Sequence, residues 1–190
     1  MKVGLFFGTF NPIHIGHLII ANYFVENSHI DKVWFVVTPQ NPFKQKSSLL
    51  NEYERLKMVE TAIEDNERLS VSNVEFMLKK PSYTIDTLTK LTEMFPKYEF
   101  SLIMGGDNLD SFHKWKNYET ILKYYHLLVY RREGFDLNEW KKHPKVTILD
   151  VPLLNISASL IRNMIKEEKS VKYLIPDKVN NYIEKNSLYR

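Results

Sequence analysis

The sequence predicts an α/β fold, a doubly wound and mainly parallel sheet with flanking helices. Short runs dense in Val, Ile, Leu and Phe recur along the chain, apolar on consecutive positions as in strands covered on both faces. Between them lie longer segments whose apolar residues repeat every three to four positions, the period of a helix. Gly and Pro cluster at the carboxyl ends of several predicted strands, the edge where open α/β sheets bind ligands.

A chain of 190 residues is long enough for one core. One domain over 1–190 is expected, with about 152–190 a helical segment packed on the sheet. The hydrophobic share of 44% beside 26% charged residues is that of a globular chain. A net charge of +3 is too mild to argue for nucleic acid, although it suits an anionic substrate if the positive side chains converge. Without cysteine there is no disulfide, thiolate metal site or cysteine nucleophile. No apolar stretch approaches the roughly 18 residues that span a bilayer, and Gly8 and Pro12 interrupt the start where a signal peptide needs its apolar segment. A cytoplasmic protein with no membrane or nucleic-acid partner is expected; homo-oligomerisation is left open.

Residues 2–7 form the first strand through Val3, Leu5, Phe6 and Phe7, and Gly8 ends it. Pro12 cannot sit in a central strand and turns Asn11 away from helical angles, so 9–13, including Thr9 and Phe10, is a loop. His14 and His17 stand three apart at the start of a helix over 15–25, with both imidazoles on one face directed back at that loop. Gly16 removes a side chain where a ligand would approach. Two imidazoles beside exposed helix amides suit an anion, above all a phosphate.

A second strand over 32–38 runs into the loop 38–46, which carries Pro39, Asn41, Pro42, Phe43, Lys44 and Lys46. Residues 51–66 read as a scaffold helix with Tyr53, Leu56, Val59 and Ile63 inward, and Asn51 with Glu54 as a capping pair. A short strand over 69–74 is followed by a connection or further strand over 75–80. Thr84 is expected to cap the next helix, whose face is Ile85, Leu88, Leu91, Met94 and Phe95, leaving early amides open to a carboxylate. The strand 98–104 leads into Gly105, Gly106 and Asp107, where glycines admit a nucleotide and a carboxylate accepts ribose hydroxyls. Trp115 lies eight residues beyond Asp107. A strand over 125–130 precedes Arg131 and Arg132, read as surface charges. A short helix over 135–143 and a last strand over 146–151 follow. His113, His126 and His143 are scattered without metal-ligand spacing and read as structural or incidental. Ser157 caps a helix over 158–166, with Arg162 just over a turn later, so hydroxyl, amides and guanidinium can converge on phosphate. A final helix over 176–188 packs through Val179, Tyr182 and Ile183.

The segment Gly8-Thr9-Phe10-Asn11-Pro12-Ile13-His14-Ile15-Gly16-His17 resembles the nucleotide-binding signature of the nucleotidylyltransferases, relatives of the class I aminoacyl-tRNA synthetases. Ile156-Ser157 through Ile161-Arg162 is similar to that superfamily's second signature. The resemblance implies a Rossmann-like fold, ATP binding through Gly8, Thr9, Phe10, Gly16, His17, Gly105, Asp107, Ser157 and Arg162, and attack at the α-phosphate assisted by His14, His17 and Arg162. Three further stretches resemble the nicotinate-mononucleotide adenylyltransferase branch. Asn41 and Lys44 match its second phosphate loop, with Phe43 where many relatives have histidine; Tyr83 and Thr84 match its carboxylate-recognition segment; Trp115 matches its ring-stacking residue. Lys116 falls at a variable position and takes no role. The implied reaction joins ATP to nicotinate mononucleotide, giving nicotinate adenine dinucleotide and pyrophosphate in NAD biosynthesis.

The chemistry is consistent with the residues. The substrate phosphate is already a nucleophile, so alignment and charge neutralisation suffice and no covalent residue is required. Mg²⁺ is expected, held mainly through ATP phosphates, since no carboxylate cluster is visible. Nicotinamide mononucleotide or phosphopantetheine as acceptor, and a non-catalytic ATP-binding regulator, are the alternative readings.

Overall fold

A computed structural model describes residues 1–39 and 49–190. Its centre is a sheet of six parallel strands, β1 (Lys2–Gly8), β2 (Lys32–Val37), β3 (Leu69–Ser72), β4 (Glu99–Gly105), β5 (His126–Tyr130) and β6 (Val146–Leu149). The spatial order is β3-β2-β1-β4-β5-β6, the doubly wound order whose direction reverses between β1 and β4. That reversal opens a crevice beyond Gly8 and Gly105. The expected parallel sheet is therefore present, and every described pairing in it is parallel.

The helices are α1 (Ile15–Asn27), α2 (Glu52–Ile63), α3 (Thr84–Met94), α4 (Gly106–Asp110), α5 (Tyr118–Tyr124), α6 (Ala158–Lys166) and α7 (Asp177–Lys185). The sequence reading did not resolve α4 and α5, both shorter than the pattern that marks a helix by periodicity. Residues 74–77, read as connection or strand, form a 3₁₀ turn, and only Asn138–Trp140 of the helix expected over 135–143 is helical, also as 3₁₀. Two apolar cores lie on opposite faces of the sheet. Phe24, Phe35, Met58 and Val179 belong to one; Leu5, Leu88, Leu102 and Phe112 belong to the other.

The packed face of α2 differs from expectation. Tyr53 is 63% exposed, whereas Arg55 is fully buried together with Met58 and Val59. Arg55 Nε donates to Leu50 O at 2.9 Å, Nη1 to Thr9 O at 2.6 Å and Thr38 O at 2.7 Å, and Nη2 to Pro39 O at 2.9 Å. One guanidinium thereby gathers the ends of β1 and β2 and the entrance of α2. Asn51 caps that entrance by accepting from Tyr53 N–H, while Glu54 instead accepts from Tyr182 Oη at 2.8 Å and ties α2 to α7. Lys178 of α7 pairs with Glu64 just beyond α2.

His126 stands at the amino edge of the sheet, away from the crevice. Its Nε2 meets Thr147 Oγ1 at 3.0 Å and its ring lies edge-on to His29 at 5.0 Å, while His29 Nε2 meets Ser101 Oγ at 3.3 Å. His143 Nδ1 accepts from Lys145 N–H. These contacts agree with structural roles for His126 and His143.

Because each partner of Arg55 is a backbone carbonyl, Arg55→Ala would strand several acceptors in a buried site. Breaking such an arrangement costs about 3–5 kcal/mol. Urea unfolding of Arg55→Ala should show a loss of that size, and Arg55→Lys, which lacks the planar fork, should recover only part of it; wild-type stability in either variant would reject this account.

Candidate functional site

The loop after β1 is shaped by aromatic packing. Phe10 adopts φ +45°, in the left-handed region that side chains seldom occupy. Its ring is 2% exposed and packs edge-on to Phe6, His17 and Phe35 at 6.0, 5.1 and 5.3 Å. Gly8 makes room for it, since a Cβ there would stand 2.7 Å from the Phe10 ring. Phe10 is thus a buried strut of the loop.

Asn11, 4% exposed, joins this loop to three other parts of the chain. Its Oδ1 accepts from Leu50 N–H at 3.3 Å and Tyr189 Oη at 2.9 Å, and its carbonyl accepts from Arg162 Nη1 at 2.9 Å. Burial pushes the Tyr189 hydroxyl up, against the pull of Arg162 and Arg55, so it stays a donor. Sequence order separates Asn11 from Arg162 by most of the chain; the fold brings the two signatures together.

His14 and His17 stack with ring centroids 3.6 Å apart and planes 24° apart. His14 N–H donates to His17 Nδ1 at 3.3 Å, which fixes Nε2 as the donor nitrogen of the neutral His17 ring. His14 Nδ1 is buried without a hydrogen-bond partner. Gly16 gives way to His14: a Cβ at Gly16 would lie 3.1 Å from His14 Nδ1. The expected space for a ligand at Gly16 is accordingly taken by the imidazole itself. Burial, helped by the nearby Arg132 guanidinium, lowers the His14 pKa to about 4.

That effect of Arg132 corrects the reading of both arginines as surface charges. Arg131 does pair with Asp150, 80% exposed, at 2.6 Å. Arg132 turns toward the crevice, with Nε 3.3 Å from Asp107 Oδ1 and Nη2 3.4 Å from Tyr130 Oη. Gly105 serves this cluster, because its missing Cβ would lie 2.3 Å from Asp107 Oδ1 and 3.1 Å from both Arg132 Nε and the Tyr130 ring. A doublet of arginines before a turn carries no sequence signal of such asymmetry.

Ser157 caps α6 as expected, its Oγ accepting from Leu160 N–H at 3.1 Å. Arg162 Nη2 meets Ser159 Oγ at 3.2 Å, so the serine it touches is Ser159. The cap of α3 is also displaced by one residue: Tyr83 is the N-cap, without a side-chain hydrogen bond, and Thr84 is the first helical residue. Met94 is 45% exposed and lies off the packed face. Trp115, half-buried, leans on Phe112 at 5.5 Å. Next to it, Lys116 lies 4.6 Å over the Tyr83 ring and 3.1 Å from Asp86, which brings the Trp115 segment and the start of α3 together. Asn41, Phe43, Lys44 and Lys46 lie outside the described residues.

Two stacked imidazoles, Arg132, Arg162, and the starts of α1 and α4 at the crevice form an arrangement suited to nucleotide phosphates. The chain belongs to the Cytidylyltransferase-like family, whose pattern matches residues 5–164. A probable nicotinate-nucleotide adenylyltransferase of Flavobacterium psychrophilum is 52% identical over 192 residues, spanning 100% of both chains. Another, of Cytophaga hutchinsonii, is 50% identical over 189 residues, spanning 100% of this chain and 98% of the relative. At that identity the chain falls within the nicotinate-nucleotide adenylyltransferase branch of the family. The fold is also that of a Plasmodium falciparum nicotinic acid mononucleotide adenylyltransferase solved with NaAD, at a TM-score of 0.82 and 22% identity over 99% of this chain and 97% of that one.

The low His14 pKa has a pH consequence. Unfolded histidine binds a proton near pH 6.5, whereas folded His14 does so only near pH 4. Its stabilising contribution, on the order of 3 kcal/mol, is complete above pH 6.5 and disappears as pH falls toward 4. His29 and His126, also lowered by burial, act in the same direction and cancel in a comparison with His14→Asn. Urea unfolding from pH 7 to pH 4 should show wild type losing more stability than His14→Asn; parallel losses would reject the assignment.

Proposed function

We propose that this protein transfers AMP from ATP to nicotinate mononucleotide, forming nicotinate adenine dinucleotide and releasing pyrophosphate, as a step of NAD biosynthesis. The observation that supports the chemistry best is the stacked histidine pair, oriented through the His14 N–H to His17 Nδ1 bond at the sheet's switch point. The names of the full-length relatives support the choice of acceptor.

In this reading an oxygen of the acceptor's phosphate attacks the α-phosphorus of ATP. A new P–O bond forms, the α–β bridging P–O bond breaks, and the electron pair leaves on pyrophosphate. His17, donating from Nε2, and His14 stabilise charge on the α-phosphate oxygens as they become more negative. Arg162 and the start of α6 at Ser157 hold the leaving pyrophosphate. Asp107 accepts from ribose hydroxyls with Arg132 fixing its orientation, and the backbone at Gly8, Thr9, Phe10, Gly16 and Gly105 borders the nucleotide. Asn41 and Lys44 take the acceptor phosphate, the first amides of α3 at Tyr83 and Thr84 take its carboxylate, and Trp115 stacks on the ring.

Family members pair ATP with a divalent cation, which in our reading is Mg²⁺. Among the described residues no group of three or more His, Asp or Glu side chains gathers to hold a metal ion. In our reading the ion is carried mainly through the ATP phosphates and water, since Mg²⁺ keeps several waters. When bound it neutralises triphosphate charge. Also among the described residues, no helix is long and apolar enough to cross a membrane. A single domain with cytoplasmic localisation completes the proposal.

Pyrophosphate release with ATP and, separately, nicotinate mononucleotide, nicotinamide mononucleotide and phosphopantetheine tests the reading. The highest kcat/KM is expected for nicotinate mononucleotide, and His17→Ala should lower turnover by about 100-fold or more while retaining the fold. Release with none of the acceptors, or near-normal turnover in His17→Ala, would overturn it.

A further inference from the structure

Glu75 is a titratable group buried beside the proposed acceptor pocket and unused by the chemistry above. It lies in the 3₁₀ turn Val74–Met77 and is 2% exposed. Its Oε1 accepts from Thr87 Oγ1 at 2.7 Å. Thr87 Oγ1 also approaches Tyr83 O at 3.4 Å, and Thr87 N–H donates to the same carbonyl at 3.2 Å. The hydroxyls of Ser82, in the residue before the α3 cap, and Thr38, at the end of β2, act on the same carboxyl. Three hydroxyls from two chain segments thus surround one acid. Glu75 Oε2 and Ser82 Oγ, both buried, lack a partner in full hydrogen-bond geometry.

No cation pairs with Glu75 among the described residues. An ionised carboxylate there would bear a large desolvation cost. Burial accordingly pushes its carboxyl up, although the three hydroxyls oppose the shift. As a carboxylic acid it can accept on one oxygen and donate from the other, matching a ring of hydroxyls. A chain of two contacts then runs from Glu75 through Thr87 to the Tyr83 carbonyl. Thr38 is itself anchored, because its carbonyl accepts from Arg55 and its N–H donates to Gly8 O at 2.9 Å.

We infer that Glu75 is a positioning residue for acceptor binding, fixing the first turn of α3, and with it the Tyr83–Thr84 backbone, against the end of β2. The inference rests on the proposed acceptor site. It makes Glu75 specific to one substrate, since the ATP-side residues His14, His17 and Arg162 are not among its contacts.

The test varies ATP and nicotinate mononucleotide separately in Glu75→Ala, Glu75→Gln and Thr87→Val, with amide hydrogen exchange over residues 84–88 read in parallel. In Glu75→Ala the KM for nicotinate mononucleotide should rise about tenfold, the scale of one or two lost buried hydrogen bonds, with the KM for ATP within about twofold. The neutral isostere Glu75→Gln should stay within about threefold of wild type, because an amide can also accept and donate. Exchange should quicken in Glu75→Ala and not in Glu75→Gln. A parallel rise in both KM values, an unchanged acceptor KM, or a glutamine variant as impaired as the alanine variant would overturn the inference. Should Glu75→Ala fail to fold, Thr87→Val decides: a selective rise in acceptor KM supports the inference and none overturns it. Wild type that makes no product from nicotinate mononucleotide would sink the functional reading by itself. Exchange then decides the positioning, with unchanged rates in the variants overturning it.

Discussion

The crevice depends on a cation that no solvent reaches. Where β1 and β2 end, their chains separate into loops and their last carbonyls lose the ladder partners that a parallel sheet supplies. Buried carbonyls need donors, and Arg55 provides them to Thr9, Thr38, Pro39 and Leu50 from one rigid fork. Burial pulls the guanidinium down from its ordinary value, opposed by Glu52 and Tyr189, yet arginine remains charged in proteins. A lysine could not meet the same carbonyls, because its three donors diverge from a single nitrogen. The angle at which the Gly8–His17 stretch leaves the sheet therefore rests on α2, a helix that contributes no group to the proposed chemistry.

A second constraint acts on the same stretch from the other end of the chain. Arg162 and Tyr189 both bond Asn11, so α6 and the residues after α7 close on the loop after β1. Arg55 holds the loop's base and Asn11 its far side. Phe10, in a backbone conformation costly for a side chain, persists between them because its ring is buried against Phe6 and Phe35. The histidines inherit this rigidity: His14 caps α1 with its ring against Gly16, and its amide orients His17. Preorganisation of this kind removes the reorganisation that a flexible donor would undergo as charge develops on phosphate.

What the sequence made legible follows from which signals are local. Strands buried on both faces announce themselves as apolar runs, and β1, β2, β4 and β5 were readable in that way, whereas the edge strands β3 and β6 are short, half-buried and carry polar residues. His14, His17, Ser157 and Arg162 were visible through spacing around caps and turns. Arg55 was not, because an arginine among Glu52, Glu54 and Lys57 looks like a solvated helix face, and only the tertiary fold reveals the carbonyls it meets. Tyr53 took its place in the expected packed face for the same reason: periodicity gives the stripe's width but not its rotation to within a residue. Arg132 and Glu75 were hidden likewise, one in a doublet and one in a connection without a clear period. The glycines were recognised as necessary but with the wrong neighbour. Gly16 and Gly105 make room for His14 and for the Asp107–Arg132 pair, contacts that depend on side-chain direction, which spacing along the chain does not give.

The placement of charge explains how a chain with a net charge of only +3 can present a phosphate site. Arg55 is held by carbonyl dipoles, which accept its hydrogen bonds while leaving its full charge at the strand ends. Arg162 Nη1 is likewise seated on the Asn11 carbonyl. By contrast, Arg132 and Lys116 sit against carboxylates, Asp107 and Asp86. Low-dielectric surroundings strengthen the field of the buried cation relative to the paired, half-exposed ones. The positive potential is thus concentrated where Thr9 to His17 meet α6, and weaker where the Trp115 segment meets the start of α3 through Lys116 and Asp86. That gradient suits the proposed arrangement, a triphosphate on one side of the crevice and a carboxylate with a flat ring on the other, a distinction that net charge could not express.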